Sequence, residues 1–260
     1  MTTNIRIGRR INEKSLGGCD PPCQNNGICT IYKNCTCTTN FTGAACDIQT
    51  TGLCLDNVTL DDNPILLITF GNGPTQYSSN TPSYFNFTTT YSQVFGAATN
   101  DGNFSFVNLI PNDFPGYWLV GSTDHTGDKG GYMFLVNANI APGQFYNSTV
   151  HNLCVDVHYE FSVYLANVCT SLCQIQPNVR FEVRSLTVEN QLLAEFSSGN
   201  VSIHKPLSWN RYGLSFIASS SAVALLMISD APGGLGNDIA LDDIALRVCA
   251  GQGTGFCYSK

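Results

Sequence analysis

Alternation of apolar and polar residues dominates the chain beyond residue 53 and predicts β-strands. In residues 157–165 every second residue is apolar, and residues 179–184 repeat the pattern. Further strand-like runs lie at 64–70, 104–110, 117–120, 132–136, 192–196, 212–217, 223–228 and 239–248. Turn clusters separate them: Asn72-Gly73-Pro74, Asn100-Asp101-Gly102, Ala141-Pro142-Gly143 and Pro232-Gly233-Gly234. About ten strands with such turns predict two stacked antiparallel sheets, a jelly roll or a relative of it.

The spacing of cysteines and turns divides the chain into four segments. Residues 1–18 form an extended N-terminal segment, 19–48 a small disulfide-rich module, 53–250 the β-sandwich, and 251–260 a C-terminal tail. Residues 49–52 are expected to be a short linker. Residues 1–18 lack the apolar core of a signal peptide, and no stretch approaches the ~20 apolar residues of a membrane span. We therefore expect a processed chain or a piece of a longer protein.

Charged residues are scarce, at 12% of the chain with a net charge of −7. The one basic cluster is Arg6, Arg9 and Arg10, in the N-terminal segment. Nucleic acid is excluded as a partner, because neutralising phosphates takes several clustered cations.

The even count of 12 cysteines predicts six disulfides formed in an oxidising compartment, and hence an extracellular protein. Seven N-x-S/T sequons are consistent with that location and predict N-linked glycans, which solvate a surface poor in charge. The sequons are Asn34, Asn40, Asn57, Asn86, Asn103, Asn147 and Asn200.

Half of the cysteines fall in residues 19–46, spaced C-x3-C-x5-C-x5-C-x-C-x8-C. This spacing, with Asn26-Gly27 before the third cysteine and the closing run 41–46, resembles the EGF-like family. The resemblance implies the pairings Cys19–Cys29, Cys23–Cys35 and Cys37–Cys46. The acidic residues of its calcium-binding members are replaced here by Leu16-Gly17-Gly18, so we expect no calcium in this module. It serves either as a rigid spacer or as a protein contact.

Two strings in the sandwich carry a second resemblance. Residues 122–133 contain Asp124-His125-Thr126 followed by Gly131-Tyr132-Met133, and residues 236–244 read GNDIALDDI. They resemble the signatures of MAM domains and of galactose-binding-like, carbohydrate-binding jelly rolls. The resemblance implies a sandwich ending near Cys249, often with a structural calcium.

Carboxylates in these strings are candidate Ca²⁺ ligands, since calcium binds six to eight oxygen atoms. The candidates are Asp124, Asp243, Asp242 and Asp238, with Asp128 nearby. A glutamate that commonly contributes in the resembling families is absent, because Phe70 is followed by Gly71 and Asn72. The alternative is that these aspartates cap turns.

The remaining six cysteines allow fifteen pairings. Cys54 and Cys249 flank the sandwich, whose first and last strands tend to be neighbours, so we expect them to pair. Cys169 and Cys173 would then close a local loop and leave Cys154 for Cys257. Alternatively, Cys257 bonds another chain.

No catalytic motif is visible, and we expect the protein not to be an enzyme. The histidines His125, His151, His158 and His204 form no H-E-x-x-H pattern, and no G-x-S-x-G elbow occurs. Trp118 and Trp209 are expected in the core rather than stacked on sugars. The function expected is adhesion or recognition of a glycan or an extracellular protein. The alternative is a structural subunit that binds copies of itself in a filament or matrix, with residues 3–8 added to a neighbour's sheet.

Overall fold

The computed structural model describes residues 18–20, 22–50, 53–54, 64–187, 190–249 and 257. Across them, every regular element is a strand except the 3₁₀ turn Pro82–Phe85. The predicted all-β class is therefore confirmed. No helix in this part of the chain is long and apolar enough to cross a membrane. The predictions for residues 3–8, Arg6, Arg9, Arg10 and Asn57 lie outside the described residues.

The strands are short in the N-terminal module and long in the sandwich. In chain order they are β1 (Ile28–Cys29), β2 (Cys35–Thr36), β3 (Phe41–Thr42), β4 (Ile48–Gln49), β5 (Leu66–Ile68), β6 (Ser92–Gln93), β7 (Asn103–Val107), β8 (Met133–Asn137), β9 (Gln144–His151), β10 (His158–Asn167), β11 (Asn178–Ser185), β12 (Leu192–Asn200), β13 (Asn210–Ile217), β14 (Ala222–Ser229) and β15 (Asp238–Val248).

Two sheets form the sandwich. The seven-stranded sheet runs in the order β13-β10-β15-β8-β7-β6, with β5 also paired to β15. The four-stranded sheet runs β12-β11-β14-β9. Every pairing in them is antiparallel apart from the short β6–β7 contact. This is the expected jelly-roll type of sandwich, with β15 next to β5, the first sandwich strand among the described residues.

The core between the sheets is built from the alternating positions read in the sequence. Phe161 of β10 meets Phe181 of β11 across the two sheets, with ring centroids 5.8 Å apart in edge contact. Phe104 and Phe134 make a second edge contact at 5.0 Å. Edge contacts are among the favoured geometries of aromatic pairs. The core is therefore stabilised by the geometry of its ring contacts as well as by the burial of apolar surface.

The outer face of the seven-stranded sheet is also partly buried. Strand β8 is buried at every position, because Met133 and Leu135 point away from the main core into a second cluster. Trp118 covers that cluster. The prediction of a strand over 117–120 was wrong: Trp118 makes only an isolated bridge to Cys169. This loop is joined to the chain around Cys169 by two backbone hydrogen bonds, from the Leu119 N–H to the Val168 carbonyl at 2.8 Å and from the Thr170 N–H to the Tyr117 carbonyl at 2.6 Å, and by the packing of the Trp118 side chain.

The N-terminal module contains two small hairpins, β1–β2 and β3–β4. Three disulfides hold it: Cys19–Cys29, Cys23–Cys35 and Cys37–Cys46. These are the pairings implied by the EGF-like resemblance. In the sandwich, the structure joins Cys54 to Cys249, Cys154 to Cys257 and Cys169 to Cys173. Six disulfides are typical of proteins that fold outside the reducing cytosol.

The module is docked on strand β13 rather than separated from it by a free linker. Gln49, expected in the linker, lies in β4 and is buried. Its side chain donates to the carbonyl of Gly213 at 2.8 Å and accepts from the Gly213 N–H at 3.0 Å. The Tyr212 hydroxyl donates to the Asp47 carbonyl at 2.7 Å. The module therefore continues the hydrogen bonding of an edge strand.

Candidate functional site

The residues Asp242 and Asp243 sit at an irregularity in strand β15. Ile239 and Leu241 face the core before them, whereas Ile244 and Leu246 face it after them, so the alternation shifts by one residue. The pairing with β10 shifts at the same point, between Ser162 and Tyr164. Asp243 has a φ of 49°. Together these features describe a β-bulge, which turns the Asp243 side chain out of the regular ladder.

The loop that carries Asp124 and His125 is clipped to this bulge. The backbone N–H of His125 donates to Asp242 Oδ2 at 3.0 Å, and its Nδ1 lies 2.7 Å from Asp243 Oδ2. The Asp243 N–H donates to Asp242 Oδ1 at 2.9 Å. The two sequence strings that carry the MAM-like resemblance are thus brought together in space.

Asp124 and Asp242 are buried acidic groups with unequal hydrogen bonding. Thr126 donates its hydroxyl to Asp124 Oδ2 at 2.5 Å, while Asp124 Oδ1 is buried without a hydrogen-bond partner. Burial, and next the charge of Asp243, raise the pKa of Asp242 to about 8; Asp124 adds to the increase. The orphaned oxygen of Asp124 and the second buried carboxylate on the β15 bulge are hard oxygen donors of the kind that a divalent cation binds.

The structure does not gather all of the predicted calcium ligands. Asp238 lies elsewhere, against Trp118, whose Nε1 donates to Asp238 Oδ2 at 2.9 Å. Asp128 is exposed and contributes its carbonyl to the Gly131 N–H. In the described part of the chain, the groups of three or more ligating side chains with atoms within 4.8 Å of one another all contain disulfide cysteines. A cation beside Asp124 and Asp242 would take further oxygens from the backbone or water.

Beside the bulge, the outer face of the seven-stranded sheet carries an open groove of about 440 Å³. Its lining includes His125, Tyr164, Arg211, Asp243 and Arg247. The His125 ring stacks on Tyr164, with centroids 3.4 Å apart and planes 17° from parallel. Trp209 meets the edge of His125 at 6.2 Å. The groove thus combines an aromatic stack with cationic side chains.

The two arginines of the groove lie beside a buried acidic residue. Arg211 is ion-paired with Glu160, whose side chain is fully buried and also accepts the N–H of Cys54 at 3.0 Å. Arg247 stands directly across the strand pair from Glu160. The buried carboxylate of Glu160 therefore fixes the position of the Arg211 guanidinium group.

The sequence predicted that His125 takes part in the hydrogen bonding of its own turn; the structure instead places its Nδ1 against Asp243 of strand β15. Tyr164, Arg211 and Arg247 were not predicted as site residues. Each of the three lies in a strand at a position that alternates with core-facing residues. The alternation therefore already indicated that the three side chains share the outer surface of the sheet. Trp118 is buried in the second cluster as expected, while Trp209 is half-buried and packs against its edge.

The described sequons differ in exposure. Asn34, Asn40, Asn86 and Asn200 are exposed, whereas Asn103 and Asn147 are half-buried within strands β7 and β9. Asn40 and Asn200 line a polar cleft of about 490 Å³ between the module and the sandwich. Glycans on these two residues would emerge beside the junction.

No family model and no curated protein matches the chain, so the EGF-like and MAM-like resemblances stay predictions. Among solved structures, it is similar to the CBM22-1 xylan-binding domain of Paenibacillus barcinonensis Xyn10C, with 12% identity over 72% of this chain and 96% of that one, TM-score 0.42.

It is also similar to the enzymatically active domain of bacteriophage CBA120 tailspike protein 4, with 13% identity over 68% of this chain and 21% of that one, TM-score 0.39. A third is TmCBM61 in complex with β-1,4-galactotriose, with 12% identity over 55% of this chain and 80% of that one, TM-score 0.35.

Proposed function

We propose that this chain is an extracellular, non-catalytic recognition protein that binds a glycan in the groove beside His125 and Tyr164. The observation that carries the proposal is the half-exposed aromatic stack flanked by Arg211 and Arg247 on an otherwise covered sheet face. Sugar rings present apolar C–H faces that pack on aromatic rings, and hydroxyl groups that accept hydrogen bonds from arginine. The groove offers both.

The position of the groove supports binding rather than folding as its role. The second apolar cluster covers the sheet face over β7 and β8, and the groove lies over β5, β10 and β15, where that cover ends. Leu67 in the groove is 46% exposed. A concave site with apolar patches and a few fixed polar groups is the usual form of a small-ligand site.

The chemistry of the groove favours a non-catalytic role. Glycoside hydrolysis uses two carboxyl groups placed on either side of the scissile bond. Among the described residues that line the groove, Asp243 is the one acidic residue, and its Oδ2 is engaged by His125. An adhesive or recognition function needs affinity alone, and this arrangement supports it.

We also propose that Asp124 and Asp242 hold a structural Ca²⁺ ion, which would keep the His125 loop in place. The support is the orphaned Asp124 Oδ1 beside a second buried carboxylate. Added CaCl₂ is expected to raise the melting temperature of EDTA-treated protein, and Asp124→Asn to abolish that increase. Equal melting with Ca²⁺ and with EDTA would remove the ion from the proposal.

The test of glycan binding is an array screen followed by calorimetry with the best oligosaccharide. Tyr164→Ala is expected to weaken binding at least tenfold, because it removes the platform under His125. Tyr32→Ala is the matched control, since Tyr32 is 79% exposed on the N-terminal module. Binding that is equal in both variants, or absent for every glycan at millimolar concentration, would overturn the proposal.

A further inference from the structure

The arginines in the described part of the chain differ in whether they have an acidic partner. Arg180, Arg184 and Arg211 are each ion-paired with a glutamate. Arg247, near the end of strand β15, has no ion-pair partner among the described residues, yet it lines the groove beside His125. A guanidinium group keeps its charge in proteins, so Arg247 brings an unpaired positive charge to the groove.

The buried carboxylate of Glu160 does not satisfy both arginines of the groove. Glu160 lies directly across from Arg247 on strand β10, but both of its oxygens are engaged elsewhere. Its Oε1 accepts a hydrogen bond from Arg211, and its Oε2 accepts the N–H of Cys54 at 3.0 Å. One carboxylate therefore stands against two guanidinium groups, which leaves one positive charge unbalanced at this end of the groove.

The acidic residue that lines the groove is at its other end. Asp243 Oδ2 lies 2.7 Å from the Nδ1 of His125, whose ring stacks on Tyr164. Tyr164 is four residues from Glu160 along β10, and an extended strand covers about 13 Å in four residues. The groove thus has an aromatic end at His125 and Tyr164 and a cationic end at Arg247.

The side chain of Arg211 runs between the two ends. Arg211 stands opposite Tyr164 on strand β13, but its guanidinium group pairs with Glu160, four residues further along β10. Gly213 follows on the same face of β13 and has no side chain, so it leaves space for the arginine stem. Arg211 therefore adds its guanidinium group to the cationic end, where Arg247 is the arginine whose charge is not neutralised.

An anionic group on the ligand would supply the missing negative charge. A carboxylate presents two oxygens that accept parallel N–H bonds from one guanidinium group, and a sulfate ester offers the same pairing. A neutral hydroxyl group accepts a hydrogen bond but leaves the charge unbalanced. The cationic end of the groove therefore favours an acidic sugar over a neutral one.

We propose that the groove is selective for an acidic glycan, with one sugar ring on the stack of His125 and Tyr164 and a carboxylate or sulfate group on Arg247. This inference rests on the glycan-binding function proposed above and adds the chemical class of the ligand. The ends of the groove are about 13 Å apart, so the acidic group belongs to a different sugar residue from the stacked ring.

The test begins with a glycan array that pairs neutral oligosaccharides with their sialylated, uronate and sulfated counterparts. Calorimetry on the full chain then compares the best acidic glycan with its neutral counterpart, and we expect the acidic form to bind at least tenfold more tightly. Tighter binding of the sialylated or uronate forms assigns a carboxylate, and tighter binding of the sulfated forms assigns a sulfate ester. Neutral glycans that bind as tightly as their acidic counterparts would overturn the selectivity and leave the glycan-binding function standing.

Substitution of Arg247 locates the selectivity. Arg247→Gln removes the charge, keeps N–H donors and leaves the ion pair of Arg211 with Glu160 in place. It should weaken binding of the acidic glycan about tenfold, so that acidic and neutral forms bind almost equally, as expected for loss of a charge-assisted pair. Arg247→Lys, which keeps the charge without the paired donors, should restore part of the preference.

Lys33→Gln is the matched control, because it removes one positive charge from an exposed position on the module and should leave the preference unchanged. If Arg247→Gln keeps the wild-type preference for the acidic glycan, the inference is wrong, even where Tyr164→Ala abolishes binding. If no glycan binds at millimolar concentration, the function on which the inference rests fails with it.

Discussion

The N-terminal module and the sandwich belong to one chain but are stabilised in different ways. In the module the buried residues are mainly Cys19, Ala45 and Cys46, while Ile31 and Tyr32 are 73% and 79% exposed. In the sandwich, aromatic and aliphatic side chains fill a continuous core between two sheets. A segment of this size buries too little apolar surface to fold unaided, so covalent cross-links replace the core.

This difference indicates where each region tolerates substitution of its residues. In the cross-linked module, apolar side chains remain exposed and are available for contacts with other molecules. In the sandwich, the apolar side chains fill the core, so binding residues must lie on the outer face. The groove lies there, on the outer face of the seven-stranded sheet. Each stabilising mechanism can be removed separately, which gives the predictions that follow.

The largest effect is expected from a cavity in the sandwich core. Phe134 is fully buried among Phe104, Phe106 and Phe87. Phe134→Ala should lower the free energy of unfolding by about 4 kcal/mol, measured by urea denaturation. Phe95→Ala is the control, since Phe95 is 56% exposed. A similar loss in both variants would mean that the core is not the main source of stability.

Removing one cross-link from the module should have a smaller and more local effect. Cys37→Ser with Cys46→Ser is expected to cost the module about 3 kcal/mol, because the disulfide no longer restricts its unfolded state. Limited proteolysis should then cut within residues 22–46, while the melting temperature of the sandwich is retained. The neighbouring exposed Thr38→Ser is the control. A parallel fall in sandwich stability would show that the two regions fold as one unit.

The junction between the regions comes next in size. Gln49→Leu leaves the N–H and carbonyl of Gly213 without their side-chain partners and should cost about 2 kcal/mol of docking free energy. Faster proteolysis at residues 50–53 measures the loss. Gln191→Leu, on an exposed turn, should leave the cleavage rate unchanged. If both variants are cut at the wild-type rate, other contacts such as that of Tyr212 with Asp47 hold the module.

Structural features that repeat along the chain could be predicted from the sequence, whereas features that depend on contacts between distant segments were harder to predict. Alternation revealed the strand over 157–165, and the EGF-like resemblance implied the three bridges of the module that the structure contains. Strand β9 escaped notice, because its polar residues Asn147, Ser148 and Thr149 hide the period. The run at 117–120 was misread, since a buried Trp118 on a loop and one in a strand have the same local sequence.

The candidate sites were less predictable because they join residues distant in the chain. Both Asp238 and Asp242 were predicted from the sequence as ligands of one calcium ion, and they are four residues apart in the chain. An extended strand places them about 13 Å apart, which is too far for one ion. The partners of each come from other elements: Asn137 and Trp118 for Asp238, and His125 for Asp242.

The smallest predicted effect depends on pH and concerns the buried carboxyl group of Asp238. Burial, the main cause, raises the pKa of Asp238 from 3.8 to about 7, although the hydrogen bond from Trp118 opposes it. The folded state therefore favours the protonated carboxyl group, and this contribution to stability is lost as the pH rises from the unfolded-state pKa through about 7. Asp238→Asn removes the dependence, because the amide that it introduces does not titrate in this range.

Between pH 6 and 8, the wild-type protein should lose about 1.4 kcal/mol of unfolding free energy relative to Asp238→Asn, the amount that corresponds to one pKa unit. Urea denaturation at the two pH values measures this difference. The exposed Asp20→Asn variant should follow the wild type. A difference that stays constant from pH 6 to 8 would mean that Asp238 keeps its charge in the folded protein.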